Sequence, residues 1–485
     1  MKKYIFFIHL FLAMFVTPKV QAQFTEKNEI AIIAQNWIQI IIDKYGHWGE
    51  SETAIAGNIQ ELRDSGKLIG YYCPVQPKGF IVFSLRRELA PVKVYSDRRN
   101  IDFSKDQGMP ELIKYRISRI IKSIESKVGP IESAASIQVG NLLESTYYNS
   151  WDFIEIYSTG SLQSKRLTDQ NYVEGDSLVH SQWHQRPPYN NFCPDLSCST
   201  SNGRALVGCV ATAGAQIMKY WNWPPNGNGG IYNDTYEWTF MYNSVNTLWP
   251  QSVQDAVAEL SFEVGDAVGM NYGCDVSTAW NSSMESAFES NFRYDNLCNS
   301  VSRTDYTADD WFILIQNQIN QNRPIYYSIG KINEPIGHSI VCDGWQITGS
   351  LKLYHMNFGW DNNTTTWYTL DMISDYDWQL DMMIRDIVPN DAVGATMAGT
   401  YNRTSYAYRY FDQDTQGSLA TFSPGQSLQV LPEIIITGTG DLTNVRIEAV
   451  PGLSTQLFTE GDPEDGIHIY NGAIQLRNGG SIKLR

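Results

Sequence analysis

Concentrated positive charge is what this sequence lacks most plainly. Its 36 lysines and arginines are outnumbered by 52 acidic residues, giving a formal net charge of -16 over 485 residues. The basic residues form no run longer than pairs such as Arg86-Arg87 and Lys165-Arg166. A surface that tracks phosphates is therefore not expected, and nucleic acid is not an expected partner. Long apolar runs are missing beyond the first residues, so no stable membrane insertion is expected. No Cys-x-x-Cys pair and no Cys/His cluster with zinc-ligand spacing occurs, so neither a metal nor another cofactor is expected. Disulfides are not needed to explain folding, because a chain of this length can bury two or three cores of its own.

The apolar run that does occur is N-terminal. Met1-Lys2-Lys3 precedes Tyr4-Ile5-Phe6-Phe7-Ile8 and Leu10-Phe11-Leu12-Ala13-Met14-Phe15-Val16, and Val20-Gln21-Ala22 supplies a cleavage site. That order reads as a secretory signal over residues 1–22, broken at Pro18-Lys19 and too short for a comfortable span. The expectation is an exported protein, delivered to the periplasm, the cell surface or the medium. Seven cysteines follow: Cys73, Cys193, Cys198, Cys209, Cys274, Cys298 and Cys342. An odd number in an oxidising compartment leaves at least one thiol unpaired. Cys193–Cys198 and Cys274–Cys298 are candidate disulfides, with the connectivity left open.

The chain divides into an α+β unit at 23–165, a Trp-, Tyr- and Asn-rich unit at 166–392 and a β-rich unit at 393–485. In the first, Ile30, Ile33, Trp37 and Ile41 share one helical face. Strands follow at Leu68–Cys73, Gly79–Ser84 and Val92–Tyr95, then a helix from Glu111 through Lys127. The stretch 128–168 reads as a linker containing Ser164-Lys165-Arg166. In the last unit, residues 445–450 and 474–476 read as strands.

In the middle unit, a helix is expected to begin at Cys209 and to stop before Pro224-Pro225, with Ala213, Ile217 and Trp221 on one buried face. A cysteine at the positive end of a helix is favoured as thiolate, the form a nucleophile requires. Such a thiolate needs a proton partner. His338 follows Gly337 at the start of a strand that runs to a turn at Asp343-Gly344. His355 lies in the next strand on the face of Leu353 and reads as a packing residue, while His180 and His184 sit in a polar loop and read as solvated.

These pieces resemble the streptopain family of papain-like cysteine peptidases. The likeness rests on Gly208-Cys209-Val210-Ala211-Thr212-Ala213 with Gln216 to Tyr220, on Gly337-His338 with Asp343-Gly344, and on Asn357-Phe358-Gly359-Trp360. Met270-Asn271-Tyr272-Gly273, Trp183-His184-Gln185 with Pro188-Tyr189-Asn190, and the N-terminal Gly79–Ser84 and Pro91–Ser96 extend it. The resemblance implies an α+β, papain-like two-part catalytic domain, preceded by an α+β propeptide that blocks the cleft and followed here by a small all-β domain. It implies Cys209 as nucleophile, His338 as general base and acid, and Gln185 as an oxyanion-hole donor. Gly337, Ser282 and Trp360 would line the substrate site, and Trp360 would shield the pair from water. The partners implied are protein or peptide substrates and the chain's own propeptide, cut between about 145 and 170. The family has tryptophan where this chain has Phe358, whose ring cannot accept the imidazole proton. Only a Cys-His dyad is therefore expected, with any role of Phe358 limited to packing. The alternatives are transglutaminase-like acyl transfer, disfavoured because Asn357 stands where an aspartate is usual, and a catalytically weak adhesin or binding protein keeping the peptidase fold.

Overall fold

The structure, a computed structural model, describes residues 24–105, 108–134, 147–158, 168–169, 172–224, 226–330, 337–360, 365–369 and 381–389, with backbone alone for seven short strands between Ser427 and Ile482. The leader at 1–22 and the Lys165-Arg166 region lie outside the described residues, as does most of the unit expected at 393–485. Within that last unit, Arg446–Ala449 is a strand, paired in parallel with Ser427–Val430.

The N-terminal unit opens with helix α1 (Lys27–Tyr45), which buries Ile30, Ile33, Ala34, Trp37 and Ile41, the face expected from their spacing. It ends at Gly46, whose φ of 88° suits glycine and whose N–H closes on the Ile42 carbonyl. Five strands follow: β1 (Ile55–Ala56), β2 (Gln60–Asp64), β3 (Lys67–Gln76), β4 (Phe80–Phe83) and β5 (Val92–Ser96). Helices α2 (Met109–Val128) and α3 (Tyr148–Glu155) complete it. Two small hairpins come next, β6 (Thr168–Asp169) with β7 (Tyr172–Val173), and β8 (Asp195–Cys198) with β9 (Gly203–Arg204). The second unit then places helices α4 (Cys209–Trp221), α5 (Gln251–Ala267), α6 (Ser283–Ser286) and α7 (Ala308–Ile319) against strands β10 (Asn299–Ser302), β11 (Ile325–Ile329), β12 (His338–Thr348), β13 (Leu351–Asn357), β14 (Thr365–Tyr368) and β15 (Met382–Arg385).

The two units share one eleven-stranded sheet in the order β1-β3-β4-β5-β14-β13-β12-β11-β15-β10, with β2 alongside β3. The seam is the antiparallel pair β5–β14, where Tyr95 faces Trp367 and Val94 faces Tyr368. Thr369 extends it by donating its N–H to the Lys93 carbonyl at 2.9 Å. Side chains lock the seam on both faces. The Tyr95 and Trp367 rings stack with centroids 6.4 Å apart, and the Gln346 amide donates to the Tyr95 hydroxyl at 2.6 Å. Lys44 of α1 pairs with buried Glu174 at 2.5 Å, and Arg116 of α2 reaches both oxygens of buried Asp381 at 3.0 Å.

Three local expectations need correction. Helix α4 is buried on nearly all sides rather than on one face, because it lies between α5 and strands β11 and β12. The turn expected at Asp343-Gly344 is a bulge within β12, which continues to Thr348. The disulfide joins Cys198 to Cys274, leaving Cys193 and Cys298 as buried thiols. Short sequence separation misled here: Cys193 is turned inward against Tyr272, while β8 carries Cys198 to the loop after α5. Among the described residues, no helix is long and apolar enough to cross a membrane.

Candidate active site

Helix α4 starts on Cys209 because Gly208 cannot be helical, with φ of 91° and ψ of 142°. A Cβ at Gly208 would also come within 2.6 Å of the Met270 methyl and 3.2 Å of Ser277. Loop 270–282 thus wraps the helix start so closely that only glycine fits. Ser277 fixes that loop by donating to the Leu206 carbonyl at 2.7 Å. One turn along, the missing side chain of Gly214 lets the Met284 sulfur approach, closing α6 onto the same helix.

The Cys209 pKa is raised, against the expectation that the helix start favours thiolate, because burial outweighs the donors around the sulfur. Burial pushes its pKa up, while hydrogen bonds from the Ser339 main chain and hydroxyl, and from the N–H groups of Val210 and Cys209 itself, pull it down. The last two donors are the unpaired N–H groups of the helix start. Ser339 is the residue after His338, so β12 brings its first residues to the end of α4 that carries Cys209.

His338 is the first residue of β12, paired across to Ile329. Gly337 before it is required by close approach, since a Cβ there would lie 2.6 Å from the Ile329 carbonyl oxygen. His338 Nε2 lies 2.9 Å from the Phe358 carbonyl oxygen. A carbonyl only accepts, so Nε2 carries the proton and Nδ1 is left as the basic nitrogen. The imidazole stacks on Trp360 at 4.2 Å and 29°, and lies nearly parallel to Phe358 at 6.1 Å. Gly359, at φ of 62°, brings this segment onto α4, where its Cβ would meet the Thr212 methyl at 2.8 Å.

The expectation that Phe358 contributes by packing alone is therefore overturned. Its ring packs, but its main-chain oxygen accepts the hydrogen bond from the imidazole Nε2–H. Asn357 is turned away: its amide donates to the Ser181 carbonyl at 2.8 Å and to Gln216 at 3.1 Å, and its oxygen accepts from the Gly359 N–H. His355 is a buried packing residue, held 2.7 Å from buried Asp343. His180 is exposed, but His184 is not simply solvated. It stands edge-on to Tyr189 at 4.7 Å and accepts from the Arg186 N–H.

Gln185 is tied to the site through its main chain, its carbonyl accepting from Val207 N–H at 3.1 Å, two residues before Cys209. Ser282 is exposed at the start of α6. Beside it, Trp280 leaves 82% of its surface exposed, although Asn281 is fastened to Ser339 at 2.7 Å and to Ser328. The resemblance points to the loop 277–282 as substrate-lining but singles out Ser282 rather than Trp280 or Asn281, and sequence reading gives Ser339 no role. An exposed tryptophan carries no periodic signal, and serine in a buried strand reads as filler. Away from these residues in sequence, Asp234, Glu259 and Glu263 bring carboxylate oxygens within 4.8 Å of one another. Burial pushes Glu263 up to about 8 and Glu259 up to about 7, and Tyr236 hydrogen-bonds Glu263.

Residues 183–368 match the model of the Peptidase C10 family. Streptopain from Streptococcus pyogenes is 27% identical over 304 residues, which cover 56% of this chain and 71% of that protein. The thiol protease/hemagglutinin PrtT from Porphyromonas gingivalis is 27% identical over 209 residues, 40% of this chain and 23% of its own length. A prointerpain A fragment from Prevotella intermedia shares the fold, with a TM-score of 0.51 at 20% identity, covering 68% of this chain and 98% of that one. Over residues 183–368 the chain is thus similar to the Peptidase C10 family, and over a little more than half of its length to streptopain.

Proposed function

We propose that this protein is an exported cysteine endopeptidase made as a zymogen, in which Cys209 is the nucleophile and His338 the general base and acid. The observation that carries the reading is the convergence at one end of α4. Cys209 occupies the first helical position among N–H donors, while His338 is held through Nε2 by the Phe358 carbonyl, which leaves Nδ1 as the basic nitrogen. His338 takes the thiol proton, the thiolate attacks the peptide carbonyl, and the proton passes to the leaving amine as a thioester forms. Water, activated by the same imidazole, then releases the acid and restores the thiol. The Cys209 N–H and Gln185 would bind the oxyanion. Gly337, Ser282 and Trp360 would line the substrate groove, and Trp360 also covers one face of the imidazole.

Residues 23–165 are assigned as the propeptide. Their shared sheet with the second unit at β5–β14 supports a docked inhibitor, as does the approach of Gly108 to Trp360, where a Cβ would lie 4.0 Å from the indole. Self-cleavage between about 145 and 170, a stretch that carries α3 rather than being linker throughout, and export through residues 1–22 complete the proposal. Transglutaminase-like chemistry is disfavoured by the engagement of Asn357 with Gln216 and Ser181.

The test compares residues 23–485 with the Cys209→Ala variant, following precursor size and casein cleavage. Processing and proteolysis are expected in the wild type and absent from the variant. Equal processing and cleavage in both would reject the assignment.

A further inference from the structure

Gln216 is fully buried on α4, two helical turns beyond Cys209. Its side-chain oxygen accepts from the Ser181 hydroxyl at 3.0 Å, the Trp183 N–H at 3.2 Å and the Asn357 amide at 3.1 Å. Its nitrogen donates back to Asn357 Oδ1 at 3.3 Å, closing a reciprocal pair of amides. Main-chain groups fix which way both amides face. The Trp183 N–H only donates, so Gln216 turns its oxygen toward residues 181–183. The Ser181 carbonyl only accepts and the Gly359 N–H only donates, so Asn357 gives its nitrogen to the first and its oxygen to the second. Three segments therefore meet at one buried amide: the helix of the nucleophile, the stretch leading to Gln185, and the segment whose Phe358 carbonyl lies 2.9 Å from His338 Nε2.

Resting on the peptidase reading above, we propose that Gln216 is a positioning residue for catalysis, which sets the Phe358 carbonyl behind His338 and the stretch leading to Gln185 against the helix of Cys209. A buried amide costs free energy unless its hydrogen bonds are made, and the bonds above all go to segments that carry part of the site. Gln216 acts on the imidazole through Asn357, whose oxygen holds the Gly359 N–H at 3.1 Å, one residue past the Phe358 carbonyl. Without that hold the carbonyl drifts from Nε2, and the imidazole loses the acceptor that keeps its proton on Nε2 and Nδ1 basic. The cost falls on rate rather than on binding, because misplacing a reacting group by about 1 Å costs on the order of a hundredfold. A carboxylate is no substitute for the amide. At position 216 it would face Asn357 Oδ1 with a second acceptor, whereas a protonated carboxyl would offer one acceptor and one donor as the amide does.

The test follows His338 by nitrogen NMR in the full chain carrying Cys209→Ala, its signal being identified by its loss in His338→Ala. Gln216→Met should convert a single Nε2–H tautomer into a mixture, with the Nε2 proton exchanging faster with water. With Cys209 restored, kcat is measured after maturation per site alkylated by iodoacetamide, the other free thiols being buried. Gln216→Met should lower kcat for a peptide substrate about ten- to hundredfold and leave KM within about twofold. Loss of stability alone would lower the number of sites and move neither measurement. Gln216→Glu should keep kcat near wild type at about pH 5, where burial keeps its carboxyl protonated, and fall about tenfold below wild type by about pH 8. An unmoved His338 signal in folded Gln216→Met, or a kcat within about twofold of wild type, overturns the proposal. Should that variant fail to fold, a Gln216→Glu ratio to wild type that stays flat from about pH 5 to about pH 8 overturns it instead. A moved signal with no cleavage by the wild type would reject the peptidase reading and leave the positioning standing, whereas wild-type cleavage with an unmoved signal would reject the positioning alone.

Discussion

Arg116→Met should loosen the N-terminal unit from the rest of the chain. Arg116 lies on α2 and Asp381 just before β15, both almost fully buried, with Nη2 at 3.0 Å from each carboxylate oxygen. Removing one partner of such a buried pair typically costs about 3–5 kcal/mol, because the other charge is left without compensation. Here the lower end applies. Asp381 keeps the Tyr327 hydroxyl at 3.1 Å and remains near the Arg303 charge. Burial already pushes the Asp381 pKa up against the pull of Arg116, so the carboxylate is under pressure even with its partner present. A loss of about 3 kcal/mol corresponds to roughly a hundredfold rise in the open population. Hydrogen exchange in a Cys209→Ala background, where self-cleavage is removed, reads this directly in peptides covering β5 and β14. Those peptides should exchange about a hundredfold faster while peptides covering α4 are unchanged. The double variant Arg116→Met/Asp381→Leu should recover much of the protection, because no unpaired charge remains. Unchanged exchange in the single variant, or a double variant as labile as the single, would refute the idea that this ion pair holds the seam.

Lys93, buried in β5 at the same seam, is pushed down to about 7 by burial and then by the neighbouring Arg116 charge. Its ordinary pKa is near 10.4, so the docking penalty is fully present below about pH 7 and fades as pH rises toward 10; seam exchange, corrected for intrinsic rates, should slow between about pH 7 and 9 in wild type and be flat in Lys93→Met. Glu263, raised to about 8 mainly by burial, keeps its proton on folding, so stability should fall as pH rises from about 4.5 to 8. Glu263→Gln should raise the thermal midpoint at about pH 8 and leave it unchanged at about pH 4, and equal midpoints at both would reject that reading. Trp280→Ala should raise KM for peptides with apolar side chains beside the cleaved bond by about tenfold, with kcat within about twofold, since the indole is exposed beside the site and buries only against substrate. A KM that does not move would remove Trp280 from the substrate groove.

What the sequence disclosed and what it concealed divide along a physical line. Cys209, Gly208, Gly337 and His338 were legible because a helix start and a strand start have local chemistry: a glycine where φ or close approach demands it, then a side chain delivered at an element's end. The strand that carries Leu353 and His355 was legible for the same reason, since alternation is a property of neighbours. The Arg116–Asp381 pair spans 265 positions, and the Cys198–Cys274 link spans 76. Neither has a local signature, and the short-range cysteine pairs that looked natural were wrong because β8 turns the chain back. The orienting group of His338 was hidden more deeply, because the acceptor is a main-chain carbonyl that every residue possesses. That also removes the difficulty posed by phenylalanine at 358. Orientation needs an oxygen 2.9 Å from Nε2, which the backbone supplies whatever side chain stands there. The ring has only to pack beside the imidazole and Trp360, and phenylalanine does so at 6.1 Å and 5.6 Å. Substitution at this position therefore leaves the proton acceptor in place and acts only through packing, whereas displacing Gly359, which seats the segment on Thr212, would move the carbonyl itself.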